Sequence, residues 1–76
     1  MKIKHNSVVT FNTVDNVIYE VSDKEVSIRL DAIEAWEEIV TDVMKIYAKN
    51  KVFLVDCNTE TFEKEYFRWV EFFKKY

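Results

Sequence analysis

Few side chains among these 76 residues could do covalent chemistry. His5 and Cys57 are the single histidine and the single cysteine. Together they could form an activated nucleophile if the fold brought imidazole and thiol into contact. Apart, each has an ordinary reading: a lone cysteine packs as a small hydrophobe, and a histidine near a terminus is solvated. Zinc wants four nitrogen or sulfur ligands at a set spacing, which this chain cannot supply. An EF-hand loop wants alternating Asp or Asn, a Gly and a closing Glu, and neither Asp15-Asn16 nor Asp23-Lys24-Glu25 fits. Glu34, Glu37 and Glu38 are close enough in sequence for paired acid–base work. Exposed carboxylates, however, keep ordinary acidities unless burial or a close charge perturbs them. The reading is therefore of a chain that is not an enzyme, with no catalytic, cofactor or metal residue.

The composition excludes further classes. Glycine and proline are both absent. A phosphate-cradling loop, a dinucleotide-binding turn and a nucleophile elbow all need glycine, because the backbone must take positive φ or approach a ligand closely. Turns must rely on Asn and Asp, which tolerate the left-handed region best among the rest. Asn12, Asp15, Asn16, Asp23, Asn50 and Asn58 are the candidates. Hydrophobic residues make up 49% of the chain, too many for intrinsic disorder. The longest apolar run, Val52 to Val55, cannot span a membrane. The first residues alternate charge with apolar side chains, unlike a signal peptide. With one cysteine, these features point to a single cytoplasmic domain covering residues 1–76.

The apolar periodicity sets the expected elements. Val9 and Phe11 alternate with Thr10 and Asn12, Val17, Tyr19 and Val21 with Ile18, Glu20 and Ser22, and Val26, Ile28 and Leu30 with Ser27 and Arg29. That predicts strands over 7–12, 16–21 and 25–30, joined as an antiparallel meander. Ile3 shares the parity of Val9, so the first strand could begin earlier. From Asp31 the spacing changes. Ile33, Trp36, Val40, Val43, Met44 and Tyr47 recur at helical intervals, Asp31 and Glu34 have capping-box spacing, and Asn50 suits a left-handed stop. A helix over 31–49 is expected. Residues 51–55 read as a short buried strand added at an edge of the sheet. Asp56 to Thr59 supply a turn and cap for a second helix running to the end. Its apolar stripe is Phe62, Tyr66, Trp69, Val70, Phe72, Phe73 and Tyr76, with Phe67 on the polar side. The expected fold is α+β, in the order β-β-β-α-β-α, with both helices on one face of the sheet.

Function must then come from surfaces. Residues 15–42 carry nine acids against two bases, a net −7, while the remainder is net +4. The acids Glu34, Glu37, Glu38 and Asp42 fall on the polar side of the expected helix. Glu20 and Glu25 point out of the meander. If these surfaces adjoin, they make an acidic face for a basic protein, such as one that itself binds nucleic acid. Phe67 would add an aromatic anchor. The bases are scattered and the pI of 5.1 is low, so direct nucleic-acid binding is disfavoured. The size, the missing glycine and proline, and the Lys/Asn/Ile/Tyr richness are similar to small accessory proteins of AT-rich phages and mobile elements. The expectation is a non-enzymatic modulator or inhibitor that occludes a basic target. The alternatives are a nucleic-acid-binding regulator and a homo-oligomer subunit, a homodimer being the simplest. No membrane partner is expected.

Overall fold

The computed structural model describes residues 2–4 and 8–74, and side chains over 8–72. His5, Ser7, Lys75 and Tyr76 lie outside the described residues, so the possible Cys57–His5 pair does too. In chain order the elements are β1 (Lys2–Lys4), β2 (Val8–Val14), β3 (Val21–Arg29), a 3-10 turn at Leu30–Ala32, β4 (Ile33–Val40), β5 (Val43–Ala48), β6 (Lys51–Asp56) and α1 (Thr59–Lys74). The chain is α+β, with an antiparallel sheet of five longer strands and the three-residue β1, packed against one C-terminal helix.

The sheet runs β3-β2-β6-β5-β4, and β1 shares with β6 the side of β2 that β3 leaves open. Residues 8–10 of β2 pair with β1 on one side and with β3 on the other. Farther along β2, Thr13 pairs with Val55 of β6. That single bridge joins the two halves of the sheet. β6 therefore lies inside the sheet, not at its edge as expected. The described residues leave β3 and β4 each unpaired on one side, so they form the two long edges.

The expected helix over 31–49 is instead the β4–β5 hairpin. Extra residues in β4 explain the false period. Glu34 is inserted between the pairs Ile33↔Ala48 and Ala35↔Tyr47, and Ile39 between Glu38↔Met44 and Val40↔Val43. Each bulge shifts the strand's parity by one, so Ile33 and Trp36, three apart, both reach the core side. Asp31 caps nothing. Its carboxylate takes Arg29 at 2.8 Å. Asn50 is left-handed as expected, at φ 67, but with Lys49 at φ 44 it closes the β5–β6 hairpin. Positive φ at both central residues is the type I′ arrangement that suits the twist of a two-residue hairpin.

Residues 16–20 of the strand expected over 16–21 form a loop, and Val21 begins β3. Asp15 Oδ1 accepts from the Val17 amide at 2.8 Å and the Ile18 amide at 3.0 Å, and Tyr19 sits at φ 55. Those local bonds offer the backbone an alternative to a ladder. β3 instead extends over nine residues, 21–29.

β2, β6 and α1 follow the sequence closely. Asn58 Oδ1 accepts from the Thr61 amide at 2.8 Å and caps α1. The core gathers Val9, Phe11, Ile28, Met44, Ile46 and Val55 from the sheet around Phe62 of α1. Full burial of each such side chain stabilises by about 1.5–3 kcal/mol. No helix among the described residues is long and apolar enough to cross a membrane.

Candidate functional site

β4 holds three of the expected partner-binding acids, and each does a structural job. Glu34, in the first bulge, accepts from the Lys49 amide at 2.9 Å. Glu37 accepts from the Tyr47 hydroxyl at 2.9 Å, which holds the phenol above its ordinary value of 10.0. Glu38 accepts from the Thr59 amide at 2.7 Å, at the first residue of α1. The Thr59 amide, then its hydroxyl, keep the Glu38 carboxyl below the ordinary 4.5. A carboxylate there also complements the positive end of the helix dipole. All three residues remain exposed, and the Asp42 amide adds a further bond to the Glu38 carboxylate.

Phe67 belongs to the same neighbourhood. Its ring is 49% exposed and centred 6.3 Å from Trp36 of β4, edge to face. Trp36 in turn lies 4.8 Å from both Phe62 and Tyr66, and its indole N–H donates to Glu63 Oε2 at 3.0 Å. Edge-on aromatic contacts of this kind are worth about 0.5–1.5 kcal/mol each beyond burial. They fix β4 to α1 and bring Phe67 beside the acidic strand. Asp42 follows in the β4–β5 turn at φ 62, and its carbonyl accepts from the Cys57 amide at 3.1 Å.

Glu20 and Glu25 do not join this group. Glu20 lies in the loop before β3, and Glu25 is opposite Asn12 within β3. β3 and β4 are opposite edges, so the single acidic face expected from sequence is divided in two. The acids of β4 also share no helix face, because β4 is a strand.

Two open hollows lie among the described residues. Asp42, Asp56, Cys57, Asn58 and Thr61 line one of about 290 Å³ beside the start of α1. Burial pushes the Cys57 thiol up, and its sulfur donates to the Asn58 carbonyl at 3.5 Å. A protonated, buried thiol is a poor nucleophile. The second hollow, about 340 Å³, lies between the 15–20 loop and the outer sheet face, where Asn16, Tyr19, Ile39, Lys45, Val52 and Leu54 meet. Among the described residues, no group of three His, Cys, Asp or Glu side chains is arranged to hold a metal. The Trp36–Glu63 link and the division of the acids were not expected from sequence. The β-branched content of 33–46 was the available signal that this segment is a hairpin. No known family, curated protein or solved structure matches the chain.

Proposed function

We propose that the chain is a non-enzymatic, protein-binding modulator that occludes a basic surface of its target through β4. One observation carries this reading. An open edge strand presents Glu34, Glu37 and Glu38 and no base, with the half-exposed Phe67 packed against its Trp36. The bulges at Glu34 and Ile39 leave only Ala35–Glu38 regular, too short to extend the sheet well. Side-chain charge therefore carries recognition, and Phe67 supplies apolar anchorage. Held in place by Lys49, Tyr47 and Thr59, the three carboxylates lose little freedom on binding. A protein that itself binds nucleic acid offers the complementary basic surface, which fits the small phage-type accessory proteins this composition resembles.

The test compares partner capture from the native host by the wild type, by Glu34→Gln/Glu37→Gln/Glu38→Gln and by Phe67→Ala. Glutamine keeps the acceptor oxygens while removing charge. Loss of one partner by the triple variant, with weaker capture by Phe67→Ala, is the expected result. Undiminished capture by both, or recovery of nucleic acid with no protein, would overturn the proposal.

A further inference from the structure

We infer that β3 is a self-complementary edge through which two copies of this chain pair into one continuous antiparallel sheet. β3 is the edge of the sheet opposite β4, so this pairing does not depend on the function proposed for β4. β3 is the longest strand, and its pairing with β2 is regular from Glu25 to Arg29. The irregularity lies before that run, where residues 22–24 face one unpaired residue of β2. Its outward residues Glu25, Ser27 and Arg29 are exposed, whereas Ile28 on the other face is buried.

Antiparallel partners directly opposite one another share a face of the sheet. A two-fold axis across an open edge can therefore oppose only residues of like parity. Centred on Ser27, it sets Glu25 opposite Arg29 of the second copy, and Arg29 opposite Glu25. Val26 then meets Ile28, apolar against apolar. Other centres fit worse. An axis at Glu25 opposes that carboxylate to itself, and one at Ile28 opposes Glu25 to Asp31. An axis at Val26 sets Glu25 against Ser27 and Lys24 against Ile28. Arg29 already holds Asp31 at 2.8 Å, but a guanidinium has five donors and can take a second carboxylate. A five-residue ladder is a small contact, so the association is weak and concentration-dependent.

Sedimentation velocity over a concentration series is expected to show a reversible monomer–dimer equilibrium. Glu25→Arg and, separately, Arg29→Glu should each raise the dissociation constant about tenfold or more, because symmetry turns two attractions into two repulsions. The swap Glu25→Arg/Arg29→Glu restores opposite charges and should return the constant to near the wild-type value. Circular dichroism confirms that each variant is folded. A wild type that stays monomeric throughout would overturn the inference. So would a dimer indifferent to the single reversals, or folded double variants that fail to re-associate.

Discussion

β3 and β4 are both exposed edge strands of similar length, yet their chemistry differs. β3 alternates Glu25, Ser27 and Arg29 along one face, a pattern that complements itself on a two-fold axis. β4 carries Glu34, Glu37 and Glu38 with no base, so a second copy of the same strand is repelled. Two bulges also interrupt its ladder, one of the devices by which edge strands avoid extension. One edge is thus suited to its own copy and the other only to a partner of opposite charge. The difference teaches that an edge's partner is written in its charge order and its bulges, with exposure common to both.

Trp36→Ala should have the largest effect. It removes the ring contacts to Phe62 and Tyr66 and leaves Glu63 without the indole donor. A loss of about 3 kcal/mol is expected from urea unfolding, at the low end for aromatic truncation because Trp36 is only half-buried. The same variant should leave β3 self-association unchanged while the chain is folded. If it weakens both, the edges are coupled through the core and the comparison fails.

Next comes the hairpin that backs β4. Lys49 and Asn50 hold positive φ without a glycine. Lys49→Asn/Asn50→Gly should stabilise by about 1 kcal/mol, since Asn-Gly is the favoured type I′ pair. Thermal unfolding checks this, and an unchanged or lower midpoint would contradict the turn assignment.

Smaller effects separate the two regions by pH. The folded state lowers the carboxyl of Glu38 in β4, through Thr59, and that of Asp15 in the β2–β3 loop, through the Ile18 and then the Val17 amide. A lowered folded value stabilises above the unfolded value, and that contribution is lost as pH falls through the folded one. The stability gap between wild type and Glu38→Gln should therefore be constant above the ordinary 4.5 and shrink below it. For Asp15→Asn the gap should shrink only below the ordinary 3.8. Gaps independent of pH would show that neither carboxylate's amide bonds hold in solution. Smallest is the Tyr47 phenol, which should ionise above 10.0 and move down in Glu37→Gln, read by tyrosinate absorbance.

The sequence made parts of this molecule legible. Alternation in 8–12 and the β-branched run 51–55 identify β2 and β6, and Asn58 with the Phe62–Trp69 stripe identifies α1. Segment 31–49 misled because bulges at Glu34 and Ile39 give a strand three- and four-residue spacings that imitate a helix. Valine and isoleucine at 33, 39, 40, 43 and 46 favoured a strand, since branching at Cβ costs rotamer freedom in a helix. Val17, Tyr19 and Val21 alternate well, but residues 16–20 yield to Asp15, whose carboxylate claims the amides that a ladder needs. Phe67 beside Trp36 of β4 was visible only as an outlier on α1. Its link to the acids passes through Trp36, a tertiary contact that no local spacing encodes.

Hydrogen–deuterium exchange of the free chain at low and high concentration tests the contrast between the edges most directly. Amides of 25–29 are expected to gain protection as concentration rises, while those of β4 and α1 do not. Concentration-dependent protection of β4 or of the Phe67 region, with none in β3, would contradict it.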